Sequence, residues 1–138
     1  MADLVRFGIS LEEGLLKKFD LHIKNQKYTN RSEAIRDLIR EDLVKSDWDK
    51  NREVAGAIII VYDHHRRELV NYLLDIQHDC HESILSTQHL HLDHENCLEI
   101  IAIKGKANKV RELHAKLKSA KGVKFAGFAE ATTGKKLA

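Results

Sequence analysis

The sequence has no proline, only two cysteines and a formal net charge of just +2 over 138 residues. Each shortage excludes something. No apolar run approaches the roughly 18 residues that span a bilayer, and the N-terminal MADLVRF lacks a basic region followed by a long apolar core. A cytoplasmic protein with no membrane contact is therefore expected. Two cysteines without a secretory signal do not make a disulfide framework, and a reducing compartment leaves both thiols free to bind metal. Residues 1–52 hold 11 lysines and arginines against 10 acidic residues, so a nucleic-acid partner must be argued from where charges sit and not from their sum. Neither G-x-x-x-x-G-K-[ST] nor G-x-G-x-x-G occurs, and no nucleophile-base-orienter set stands out. With 43% hydrophobic and 32% charged residues, the chain has the composition of one or two small folded units.

Histidine is what the chain does have. Residues 77–97, QHDCHESILSTQHLHLDHENC, hold five of the nine histidines and both cysteines. Imidazole and thiolate together suit a borderline transition metal such as nickel, copper or zinc.

From the N-terminus, LVRFGIS alternates, with Val5, Phe7 and Ile9 on one face and Arg6, Gly8 and Ser10 on the other. This predicts one short strand over residues 4–10. A lone strand leaves backbone groups unpaired, which calls for another strand, such as one from a second copy of the chain. Leu15, Leu16, Phe19 and Ile23 predict an amphipathic helix over 12–25, with Ser10 and Glu13 at capping-box spacing. Asn30 and Glu33 have the same spacing before a second helix expected to bury Ala34, Ile35, Leu38, Ile39 and Leu43. One strand and two helices in so few residues fall near the lower limit for a stable core, which dimerisation would remedy. The polar DWDKNRE, 47–53, reads as a connector or a continued helix, with Trp48 as a packing anchor.

From Val54 the pattern changes. VAGAIIIVY is an apolar strand, followed by a helix with Leu69, Tyr72, Leu73 and Ile76 at helical spacing. Strands at 84–92 and 98–103 join through a DHEN turn. A helix over 107–120 turns Val110, Leu113 and Leu117 inward, with Gly122 placed as its C-cap, and 123–129 forms a last strand. The order is β-α-β-β-α-β, the ferredoxin-like arrangement. The fold class is α+β, with domains at 1–50 and 51–138.

His89 and His91 stand at i, i+2 of a predicted strand, so their side chains share a face. Cys97 lies just past the turn, where a hairpin can bring its sulfur alongside. His78 could complete the set or could pair with His81 at i, i+3 around Cys80. His94, His64 and His65 read as exposed polar residues, and His22 and His114 as helix-surface residues. Glu95 and Glu99 flank Cys97; a metallohydrolase could use such a carboxylate as base, but it would need an open coordination position. Glu99 is more simply an outer partner that orients a ligand. Arg6, Gly8 and Ser10 could read a major groove if two such strands paired as a ribbon, and the helix start at Asn30-Arg31-Ser32 could hold a phosphate.

Taken together, RFGISLEEGLLKKFD, YTNRSEAIRDLIRE, QH and HLHLDHENCLEI closely resemble the nickel-responsive transcriptional regulators, the NikR family. The resemblance covers nearly the whole chain and implies a ribbon-helix-helix DNA-binding domain followed by a ferredoxin-like, ACT-type metal-binding domain. It implies a homotetramer, a dimer of dimers, on double-stranded operator DNA. It also implies one Ni(II) per subunit in a square-planar site of three histidines and one cysteine. Carried onto this chain, the ligands are His89, His91 and Cys97 of one subunit and His78 of a neighbour. Arg6, Gly8 and Ser10 match the base-reading positions, and Glu33 and Asp37 match residues that hold a second cation. Some relatives have Thr at the position of Gly8, which offers no side-chain readout. The implied function is repression of nickel-uptake genes when Ni(II) is bound, without enzymatic activity. A regulator of another metal, or a metal-handling protein without DNA function, stands as the alternative.

Overall fold

Apolar spacing and local capping explain most of the elements in the computed structural model, which describes residues 3–137. Backbone contacts divide the chain into two units, one of residues up to Leu43 together with the tail from Lys136, the other Val44–Lys135.

In the first unit, helix α1 spans Glu13–Asn25. The expected Ser10 cap does not form: Glu12 occupies the cap position, and its side chain makes no capping hydrogen bond. Helix α2 spans Arg31–Asp49. Asn30 does cap it, its Oδ1 accepting the Glu33 N–H at 2.9 Å. Glu33 does not reach back to Asn30 but accepts a bond of 2.6 Å from the Thr29 hydroxyl. The expected strand over 4–10 is absent within one chain, and residues 3–12 have no regular secondary structure. The reason is physical: a strand is held by ladder bonds, and a single copy supplies no partner. Val5 and Phe7 are 84% and 71% exposed. Of the five residues expected to be buried by α2, only Ala34 is; Ile35 is half-buried, and Leu38, Ile39 and Leu43 are exposed. One copy of this unit therefore leaves its own apolar stripe uncovered.

The last turns of α2, from Val44, belong to the second unit, so the supposed connector is helical through Asp49. Trp48 is the anchor expected of it, buried, with its indole N–H donating to Ala131 O at 2.9 Å. Phe128 meets its ring edge-on, and the Arg111 guanidinium lies over it. Strand β1 (Glu53–Asp63) leads to helix α3 (Arg67–Asp79), a short turn of 3-10 helix, and the hairpin β2 (Ile84–His91) and β3 (Asn96–Lys106). Helix α4 (Ala107–Ser119) and strand β4 (Val123–Glu130) complete the unit. The four strands lie in the order β2-β3-β1-β4, each neighbouring pair antiparallel. This is the expected α+β, ferredoxin-like arrangement.

Two details differ from expectation. Tyr72 is on the exposed face of α3, whereas Leu69, Leu73 and Ile76 are buried. Helix α4 ends with Ala120 as its cap, and Gly122 lies in the turn beyond at φ 102°. A side chain there would be strained and would collide with the Arg66 guanidinium.

Period-2 alternation along β1 and β3 sorts the core. Ile58, Ile60, Ile101 and Ile103 point toward the helices and are fully buried with Val110, Leu113 and Leu117. Each such side chain contributes about 1.5–3 kcal/mol of hydrophobic stabilisation. The opposite face carries Ala57, Ile59, Val61, Leu98, Ile100 and Ala102, apolar but only half-buried.

Candidate metal centre

The hairpin register builds the site. In the β2/β3 ladder His91 stands opposite Cys97, and His89 opposite Glu99; in the β1/β3 ladder Tyr62 stands opposite Cys97. Strand parity sends all of these side chains to the helix-bearing face of the sheet. The turn between β2 and β3 is held by Asp93, which accepts the backbone N–H groups of Glu95 at 2.8 Å and Asn96 at 2.7 Å. The Asn96 side-chain amide, followed by these backbone bonds, lowers the Asp93 carboxyl to about 2.

Cys97 is fully buried. Its Sγ lies 3.1 Å from Nδ1 of His64 and 3.5 Å from Nδ1 of His91. These three form the one group of potential metal ligands among the described residues whose donor atoms all lie within 4.8 Å of one another. Burial pushes the thiol up from its ordinary value, with Glu99, Asp63 and Asp93 adding to the effect. Burial pushes His64 down, helped by the neighbouring His65 and His91.

His64 is brought over the sulfur by the turn after β1. The Asp63 carboxylate accepts the His65 backbone N–H at 2.9 Å, while the His64 N–H reaches Glu95 O across the hairpin end at 3.1 Å. Sequence reasoning placed His64 among exposed polar residues; the structure places it, half-buried, against Cys97. A signal was available. In a ferredoxin-like sheet the end of β1 meets the start of β3, so a histidine two residues beyond Tyr62 falls on the face that Cys97 uses.

His89 lies beside this group rather than in it. Its ring centroid is 5.2 Å from that of His91, and its Nδ1 is 3.5 Å from the Tyr62 hydroxyl. Glu99 is the one buried charged side chain among the described residues. It accepts the Tyr62 O–H at 2.9 Å and the Gln77 amide at 3.4 Å, and Gln77 in turn accepts the Thr87 hydroxyl at 3.2 Å. The side chain next to His78 is thus tied to the floor of the site. His78 itself ends α3 and lines a surface cleft with Asp75, His81 and Thr87, outside the Cys97 group. Its carbonyl O lies 2.9 Å from Nδ1 of His81. Cys80 is half-buried, and the His65 ring lies near those of His64 and His94, tilted to both, with centroids at 4.2 Å and 5.6 Å.

The donor set fits a borderline metal. A buried thiol flanked by imidazole nitrogens and backed by a hydrogen-bonded carboxylate matches the ligand chemistry of nickel, copper or zinc.

In the first unit, Arg6, Gly8 and Ser10 lie on the exposed N-terminal arm. Arg31 forms a two-pronged ion pair with Asp20, both contacts at 2.9 Å. Asp37 accepts the Tyr28 hydroxyl at 2.9 Å and lies 3.6 Å from Arg40, one helical turn from Glu33.

Two helices after an exposed arm, then a ferredoxin-like unit with a cysteine-histidine group suited to a metal, make a protein of two parts. Comparison with known families agrees at both ends. Residues 5–46 match the model for ribbon-helix-helix proteins of the copG family, and residues 55–129 match that for the NikR C-terminal nickel-binding domain. The chain is 55% identical over 134 residues to a Syntrophus aciditrophicus protein and 57% identical over 134 residues to one from Chlorobium limicola. Each alignment covers 97% of this chain, with 98% and 100% of those proteins, and both carry the name "Putative nickel-responsive regulator". An uncharacterised protein of Thermotoga maritima shares the fold of 57% of this chain at a TM-score of 0.53 and 18% identity, the alignment covering 98% of that protein. The chain belongs to the NikR family of nickel-responsive regulators, which are transcriptional regulators and not enzymes. No helix among the described residues is long and apolar enough to cross a membrane.

Proposed function

We propose that this chain is a nickel-dependent DNA-binding repressor of nickel-uptake genes, working in the cytoplasm as a homotetramer. The observation that carries this reading is the buried Cys97 thiol set between imidazoles at the turn end of a hairpin, with Glu99 fixed behind it. Ni(II), one per subunit, would be held by His89, His91 and Cys97 of one subunit and His78 of a neighbour. A planar set of three imidazole nitrogens and one sulfur suits d8 Ni(II) and separates it from tetrahedral Zn(II). Within this site the chain's own groups do three things. Tyr62 and Gln77 orient the Glu99 carboxylate, the turn after β1 brings His64 over the sulfur, and the end of α3 places His78 outside the Cys97 group of its own chain.

The half-buried apolar face of the sheet supports assembly between copies of the second unit. The exposed apolar alternation of the arm supports a two-chain ribbon in which Arg6, Gly8 and Ser10 face the DNA major groove, with Asn30 and Arg31 near the phosphates. Glu33 and Asp37 would hold the second cation. Nickel can strengthen DNA binding only through its differential affinity for the DNA-competent arrangement, and DNA strengthens nickel binding by the same factor. A gel shift on the chain's own promoter region, with and without Ni(II), tests the reading. A nickel-dependent complex is expected, and Arg6→Ala should weaken it by about 1–3 kcal/mol while leaving nickel affinity intact. Absence of a nickel-dependent complex from folded protein would leave a metal-handling protein instead.

A further inference from the structure

The planar set proposed above uses His89, yet the histidine whose nitrogen lies at the Cys97 sulfur is His64. We propose that His64, His91 and Cys97 form a second, alternative site wholly within one chain, which takes a tetrahedral divalent ion such as Zn(II). It shares His91 and Cys97 with the nickel set, so the two occupancies exclude each other.

The geometry carries this. At a tetrahedral zinc, bonds of about 2.3 Å to sulfur and about 2.0 Å to nitrogen put the donor atoms about 3.5 Å apart. The sulfur-to-nitrogen distances are 3.5 Å for His91 and 3.1 Å for His64, so an ion fits with a shift of a few tenths of an ångström. All three donor atoms lie within 4.8 Å of one another, a condition that His89 and His78 do not meet. His89 instead has its Nδ1 turned to the Tyr62 hydroxyl. The backbone holds the triad: the Asp63 turn and the His64-to-Glu95 bond fix one ligand, and the His91-to-Cys97 register fixes the other two. Three protein ligands leave a fourth position for water, as in other open zinc sites. An ion bound this way needs nothing from a neighbouring chain, so it leaves His78 free and does not join subunits. This consequence rests on the nickel reading above; the triad itself does not. Discrimination against zinc would then lie in where the ion sits, not in whether it binds.

The test is titration of full-length protein with Co(II), a spectroscopic stand-in for zinc, followed by the intense visible bands of a tetrahedral cobalt-thiolate centre. Wild type and His78→Ala should give the same spectrum and affinity. His64→Gln, which keeps a polar side chain at the half-buried position, should lose the tetrahedral bands and weaken Co(II) by more than the roughly 10- to 100-fold typical of losing an outer partner. Its Ni(II) spectrum should match wild type, which also shows that the variant is folded; if it did not, His64→Asn with an unchanged circular dichroism spectrum would take its place. Tetrahedral bands that persist in both His64 variants, or that vanish in His78→Ala, would overturn the proposal. Loss of a planar nickel spectrum in wild type would instead sink the nickel reading and leave the cobalt result to stand by itself.

Discussion

At the scale of single residues, the Cys97 proton governs the centre. Burial, Glu99, Asp63 and Asp93 hold the thiol above its ordinary value, while His64 is held below its own and is neutral near pH 7. A metal must displace the thiol proton, so apparent Ni(II) affinity should rise by at least about tenfold per pH unit below the thiol's pKa. A flat profile by competition titration would mean that no thiolate is formed on binding. Glu99 gives a second prediction. Tyr62→Phe removes its shorter hydrogen bond while keeping the ring in the core, so a buried carboxylate is left with Gln77 alone. Folding stability should drop by about 1–3 kcal/mol in denaturant unfolding, and nickel affinity should fall roughly 10- to 100-fold. Unchanged nickel binding would show that Glu99 serves the core and not the metal.

The elements were largely legible from the sequence because their causes are local. An apolar run marked β1, short segments between turns and helices marked β2 to β4, 3.6-residue spacing marked the helices, and DHEN marked the hairpin turn. What failed were features set by partners distant in sequence. The Ser10 and Gly122 caps were plausible by spacing and were overruled by where the helices end, and Tyr72, at helical spacing with Leu69 and Ile76, lies on the exposed side of α3. The strand over 4–10 is not formed by one chain, because the strand expected to pair with it belongs to a second copy. His64 was missed because its role depends on β1 lying beside β3, a fact of topology and not of neighbouring residues. His89, His91 and Cys97 share a face as spacing required, but the side chains divide between Tyr62 and the sulfur. At this scale the hairpin turn is testable. The Asp93 carboxyl is lowered in the folded chain, so its contribution is present above the ordinary value of 3.8 and is lost as pH falls through about 2. Asp93→Ala should speed amide exchange at Glu95 and Asn96 at neutral pH, whereas wild type should keep that protection down to about pH 3. Equal exchange in both would mean that the ladder alone holds the turn.

For the whole molecule, one chain is incomplete at three places. The arm has no partner strand, α2 exposes Leu38, Ile39 and Leu43, and the sheet leaves an apolar face half-covered. A fourth gap is chemical, since His78 sits apart from the Cys97 group it would complete. Further copies, as proposed, would meet all four gaps, and the account's central claim concerns the last: that nickel is held by two chains at once. Mixing tests it directly. His78→Ala chains keep the hairpin ligands, and Cys97→Ala chains keep His78, so neither alone should show the spectrum of planar nickel with three nitrogens and one sulfur. If the ligand comes from a neighbour, unfolding and refolding the two together should restore that planar spectrum at a fraction of its wild-type intensity, in hetero-oligomers that pair an intact hairpin with an intact His78. If both ligands must come from the same chain, no mixture can restore it, and a refolded mixed oligomer that binds no planar nickel would contradict the account.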